Sequence, residues 1–223
     1  MLPSFNVQKS TLLKPEFTSK EFSYIAGSSF VVNFNDNLYL LTAHHLFGPP
    51  AGLDKKYSKH EITQLSPSVK AYDFDNGSVV VESNQFLPIK NAKELNWRDA
   101  SPDIAIFKIP NAKIESLTLA SSTPVKGDIV FLYAHLKNAS KNDTRYHSAT
   151  ITASNGKFIK YRYHNRFLNP TATSGAPVLN QSGEVVGLNV SVAGFPILNW
   201  KGVANPLISI SQALNACNPT QSA

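Results

Sequence analysis

Apolar and polar residues alternate in short runs along most of this chain, and turn-forming residues close each run. Residues 28–33 and 38–42 read as two strands joined through Asn35-Asp36-Asn37, because a period of two lays one face of a strand on a core. Residues 69–74 and 78–83 flank Asp75-Asn76-Gly77, a hairpin signal, since Asn-Gly accepts the positive φ of a tight turn. A further alternation, 103–109, stops at Pro110. A second series follows Pro124: 128–134, 148–153, 158–163, 177–180, 185–192 and 202–205. Short strands at this density, with few helical periods, predict an all-β sandwich or barrel protein. One helix is expected, over 207–217, where Leu207, Ile210, Leu214 and Cys217 share a face.

Composition narrows the picture. The chain has 223 residues, 42% hydrophobic and 16% charged, enough to bury a substantial core and unlike a disordered segment. Its one cysteine, Cys217, leaves no intrachain disulfide, so packing alone must hold the fold. A net charge of +6 invites a nucleic-acid partner. The basic residues are scattered, however, and the densest group, 157–163, alternates as one exposed strand face, which argues against nucleic acid. No apolar run is long enough to span a membrane. The N-terminus lacks the basic and apolar regions of a secretory signal, so a cytoplasmic location is the default expectation, with secretion after removal of a signal as the alternative. His60, His135 and His147 show no metal-ligand spacing, and Gly127-Asp128 opens a strand rather than a phosphate-binding helix. No metal or organic cofactor is expected.

The candidate chemistry sits at strand ends. Thr42-Ala43-His44-His45 closes one predicted strand, Asp103-Ile104-Ala105-Ile106 opens another, and Thr173-Ser174-Gly175-Ala176-Pro177 precedes a third. A serine hydroxyl attacks only when a base takes its proton. Histidine titrates near neutrality and suits that task. A carboxylate then fixes the imidazole tautomer, and His, Asp, Ser is one of the chain orders in which such triads occur. Asp103 is preferred to Asp99, which lacks the apolar alternation after it.

These strings resemble the chymotrypsin-like (trypsin-fold) serine peptidases, and more closely their bacterial HtrA-like and glutamyl-endopeptidase-like branches, over residues 27–210. The resemblance implies two six-stranded antiparallel β-barrels with the active site between them and a C-terminal helix. The expected division is an arm (1–20), an N-terminal barrel (21–115), a C-terminal barrel (116–205), and a helix and tail (206–223), with a linker over 111–123. A PDZ module is not expected. The family pattern selects His45 over His44 as base, with Asp103 and Ser174 completing the triad of a serine endopeptidase acting on polypeptide through an acyl-enzyme. A catalytically weak trypsin-fold protein that binds peptides or a partner is the alternative. Thr173 stands where zymogen-type relatives carry aspartate, so activation through a new N-terminal amine is not expected.

The oxyanion hole departs from the pattern. Relatives place glycine two residues before the serine; here the position is Ala172. A left-handed alanine costs about 1–2 kcal/mol, whereas a flipped loop forfeits one donor, worth about 10²–10³ in kcat. The expected donors are the N–H groups of Ala172 and Ser174. The resemblance also assigns the S1 pocket: Leu168 at its base, Asn189, Val190, Ser191, Val192 and Ala193 as its wall, and Gly202 opposite. No carboxylate stands there, which implies a small apolar pocket. Thr171, with His164, is the alternative set for an acidic side chain.

Overall fold

The computed structural model describes residues 3–96, 98–110, 114–137, 139–140, 143–195 and 198–217, without side chains at 9 and 192–200. Among the described residues, fourteen strands form two sheet systems, accompanied by two α-helices. In the first half lie β1 (Leu12–Thr18), β2 (Ser23–Ile25), β3 (Ser29–Phe34), β4 (Asn37–Thr42), α1 (Lys59–Leu65), β5 (Ser68–Asp73), β6 (Val79–Ser83), β7 (Gln85–Leu87) and β8 (Ala105–Ile109). The second half holds β9 (Ile129–Tyr133), β10 (Tyr146–Asn155), β11 (Phe158–Tyr163), β12 (Pro177–Leu179), β13 (Val185–Phe195), β14 (Leu198–Pro206) and α2 (Leu207–Cys217).

The first sheet runs β6-β5-β1-β3-β4-β8-β7, with β2 added on β1. Its two ends are one stretch of chain, because only Asn84 separates β6 from β7. The Ser83 hydroxyl donates to the Lys108 carbonyl of β8 at 2.5 Å, so the sheet curls round a core. That core is aromatic: Phe17 meets Phe47 at 5.0 Å between ring centroids, and Phe86 meets Phe107 at 5.3 Å. The second sheet is a closed barrel, β10-β11-β14-β13-β12-β9. Both are antiparallel throughout. The predicted all-β architecture with a C-terminal helix is the one observed.

Local chemistry explains most elements. Asn35 and Asp36 take φ of 50° and 57°, the paired positive values that match a two-residue turn to the twist of β3 and β4. In the β5–β6 hairpin the Asp73 carboxylate accepts the N–H groups of Asp75 and Asn76, and Gly77 has φ 71°. Residues 114–123 form no strand, yet Leu117 bridges Val32 of β3 and Leu119 bridges Val185 of β13. The connection is therefore pinned to both barrels; 111–113 lie outside the described residues. Helix α2 buries Leu207, Ile210, Ala213 and Leu214, whereas Cys217 is half-buried.

Several elements differ from expectation. The segment read as an arm supplies β1, whose Pro15 faces Ala71 in the ladder. Proline inside a run argues against a central strand, which hid it. The tail is not the only helix: α1 opens with a capping box in which Ser58 and Glu61 satisfy each other's backbone N–H. Strand β8 starts at Ala105, two residues after Asp103, whose carboxylate serves loop N–H groups instead.

Candidate active site

Strand pairing brings the first two residues together. Thr42, the last residue of β4, lies opposite Ala105, the first of β8, so the turn after one strand meets the loop before the other. His45 occupies that turn, a single 3-10 turn over His44–Leu46. The fully buried Asp103 carboxylate receives the His45 N–H at 2.9 Å, His45 Nδ1 at 2.8 Å and the Leu95 N–H at 3.2 Å. A carboxylate is acceptor-only, so Nδ1 carries the proton and Nε2 is left as the acceptor.

The rivals are placed elsewhere. Asp99 accepts the N–H and hydroxyl of Ser101 within its own loop. His44 is 3% exposed, with Nδ1 unpartnered among the described residues, and burial pushes its pKa down to about 4.

Ser174 comes from the other barrel, on the turn leading into β12. Its carbonyl accepts the Ser28 N–H at 2.7 Å, which fastens the turn to the first barrel. Two glycines allow that approach. A Cβ on Gly175 would lie 2.0 Å from the Ser28 carbonyl oxygen, and one on Gly27 would lie 2.6 Å from the Ser174 carbonyl oxygen. Ser174 is half-buried, and its hydroxyl makes no hydrogen bond among the described residues. Of the two expectations for Ala172, the left-handed backbone is the one adopted, with φ 65°.

Behind this turn lies a buried network. Thr173 Oγ1 donates to the Pro170 carbonyl at 2.6 Å and accepts from Asn189 Nδ2 at 3.0 Å. Asn189 Nδ2 also donates to the Thr173 carbonyl, and its Oδ1 accepts the Tyr161 hydroxyl at 2.7 Å. Burial raises the Tyr161 pKa well above its usual value, so the phenol stays a donor. Asn189, expected in the S1 wall, is 1% exposed and braces the turn from inside. Gly202, expected opposite, does not open a pocket either: the Tyr161 ring fills its space, 2.2 Å from where a Cβ would sit. Val190 is buried in the core and Ser191 is half-buried. The backbones of Val192 and Ala193 pair with Gly202 and Lys201, while their side chains lie outside the described set.

Leu168 and Thr171 line a cleft of about 350 Å³ together with His147, Lys137 and Asp143. Thr171 bonds Asn169, whereas His164 bonds Thr150 on the exposed face of β10 and β11, so no described contact joins Thr171 to His164. His147 was not anticipated in the site. It is 8% exposed, its Nε2 lies 3.1 Å from the Ala134 carbonyl, and burial lowers its pKa. The alternation His147, Ala149, Ile151 along β10 was its available signal. A second cleft, of about 800 Å³, opens between the barrels beside Gly27, Leu46, Ala172 and Ser174. Among the described residues no group of His, Cys, Asp or Glu is placed to hold a metal.

A family model for the trypsin-like peptidase domain matches residues 27–188. No curated protein matches the chain. The solved Rv3671c protease from M. tuberculosis, active form, is similar with TM-score 0.60 and 15% identity, over 96% of this chain and 84% of that one. The serine endoprotease from Yersinia pestis gives TM-score 0.60 and 18% identity, over 95% of this chain and 64% of that one. The HtrA-type protease AlgW gives 0.59 and 18%, over 96% and 62%. This chain thus spans under two thirds of the last two, and identities this low establish the fold alone.

Proposed function

The chain belongs to the trypsin-like peptidase family, and from that premise we propose that it is a serine endopeptidase with Ser174 as nucleophile, His45 as base and Asp103 as the group that orients His45. The observation that carries this reading is the pair of hydrogen bonds from His45 to the buried Asp103 carboxylate. They fix the ring and the tautomer in the form a general base requires. Ser174, half-buried beside a cleft, supplies the hydroxyl. The reading requires Ser174 Oγ to reach His45 Nε2 in the substrate complex, where catalytic hydrogen bonds often tighten.

Ser174 Oγ attacks the scissile carbonyl carbon while His45 Nε2 takes its proton. The oxyanion is held by the N–H groups of Ala172 and Ser174, and the left-handed backbone at Ala172 supports that role. Collapse of the intermediate expels the amine, protonated by the His45 imidazolium, and leaves an ester on Ser174. Water, activated by the same imidazole, hydrolyses the ester. Asp103 stays ionised and stabilises the imidazolium. The partner on this reading is a polypeptide substrate.

Incubation with a mixed peptide library, with products read by mass spectrometry, tests the proposal. Internal cleavage that Ser174→Ala lowers by about 10⁴-fold or more is expected. Equal cleavage by wild type and Ser174→Ala would overturn it.

A further inference from the structure

In the proposed reaction the scissile carbonyl sits over Ser174, and the two halves of the substrate leave it in opposite directions. Leu168, the expected base of the acyl-side pocket, lines the separate cleft of about 350 Å³. Neither Leu168 nor Thr171 lines the cleft of about 800 Å³ beside Ser174 and Ala172. That cleft therefore receives the other half, the chain beyond the scissile bond.

Its chemistry is uneven. Ile25, Leu46 and Phe74 give an apolar floor, and Ile25 is 48% exposed with nothing over it among the described residues. Lys14 enters from β1 of the first barrel and Lys137 from the segment after β9 of the second. Both are exposed, and neither belongs to an ion pair among the described residues. Two carboxylates oppose them: Asp73, whose Oδ1 accepts the N–H groups of Asp75 and Asn76, and Asp143, which shares the neighbouring cleft with Lys137 and whose Oδ2 accepts the Ser140 N–H. Asp75, beyond Asp73, pairs with Arg145. His135, also in the lining, stacks on Phe74 at 5.0 Å. Two unpaired cations above an apolar floor concentrate positive potential where low-dielectric walls limit screening.

We propose that this cleft selects an acidic side chain within the first few residues after the scissile bond, with Lys14 and Lys137 as the specificity-determining residues. The proposal rests on Ser174 being the nucleophile and names the substrate class of that site. Two solvent-exposed attractions of this kind give about a three- to tenfold preference, weakening as salt shortens the screening length.

The test uses the full chain and three quenched-fluorescence peptides that share one cleavable acyl half. They carry Asp, Ala or Lys in the second position of the leaving half. Wild type is expected to cleave them in the order Asp, Ala, Lys, with kcat/KM spread about three- to tenfold at low salt and compressed in 0.5 M NaCl (roughly 4 Å of screening). The Lys14→Glu/Lys137→Glu variant is expected to reverse that order, each rate being taken relative to the same variant's rate on the Ala peptide. The Lys14→Gln/Lys137→Gln variant should abolish the preference without reversing it. Equal wild-type rates on all three peptides, or an order unchanged in the variants, would overturn the proposal alone. Failure to cleave any of them, with no labelling of Ser174 by a serine-directed reagent, would instead overturn the peptidase reading and this inference with it.

Discussion

Ala172 holds φ 65°, where its Cβ crowds the following carbonyl at a cost of about 1–2 kcal/mol. Glycine would relieve that strain but give back about 0.4–1 kcal/mol through a freer unfolded chain. Ala172→Gly is therefore expected to stabilise by about 0.5–1 kcal/mol, raising Tm by about 1–4 °C, without lowering kcat/KM. A fall in both would show that the methyl group helps to hold the turn. At Asp103 three N–H donors converge on one carboxylate. Asparagine would turn an amide NH₂ toward them and favour the wrong imidazole tautomer, so Asp103→Asn should lower kcat about 10⁴-fold while leaving KM nearly unchanged. His44 gives a pH signature. Burial lowers its pKa to about 4, below the usual value of about 6.5, so the unfolded chain binds the extra proton first. Its contribution is fully present above about pH 6.5 and is lost as pH falls toward 4; His147 acts in the same direction. Urea melts should show stability declining across that window, and His44→Phe should flatten the decline.

At the scale of elements, the prediction concerns the brace behind the nucleophile. Asn189→Ala leaves the Tyr161 hydroxyl without its acceptor and takes one donor each from the Thr173 carbonyl and hydroxyl, which keep the Ala176 N–H and the Pro170 carbonyl. Unsatisfied buried groups cost about 1–3 kcal/mol each, and relaxation recovers part. A loss of about 2–3 kcal/mol in chemical denaturation is expected, along with reduced turnover. Tyr161→Phe leaves Asn189 with its Thr173 bonds and should cost about 1 kcal/mol. This network also marks what the sequence could and could not convey. Asn-Asp between β3 and β4, and Asn-Gly between β5 and β6, carry their turn geometry in their own residue types, so those hairpins were legible. The strings around His45, Asp103 and Ser174, the residues of the proposed triad, stood out because each stands beside an apolar strand. Asn189 was misread as pocket wall because strand alternation says that a side chain points inward, not whether it meets space or a hydrogen-bond partner. Gly202 was misread for the same reason, its open side being filled by a tyrosine from β11. Helix α1 was missed despite Ser58 and Glu61, its own capping signal.

Across the whole molecule, the site exists only where the barrels meet. His45 and Asp103 belong to the first, Ser174 to the second, and the Ser28–Ser174 backbone bond links the two. At the margin, the β5–β6 hairpin reaches the second barrel: Asp75 pairs with Arg145 at 2.5 Å, and Phe74 stacks on His135. Arg145 is 5% exposed, so Arg145→Ala removes a buried side chain together with its ion pair to Asp75 and should cost on the order of 2 kcal/mol. Loss of turnover before loss of barrel structure on heating that variant would show that the seam holds the site in register. The central claim, an activated Ser174, is tested most directly by treating the purified protein with a fluorophosphonate and locating the adduct by mass spectrometry. A single adduct on Ser174, lost in His45→Ala, is predicted. No adduct under conditions that modify a known serine peptidase, or one that persists in His45→Ala, would contradict it.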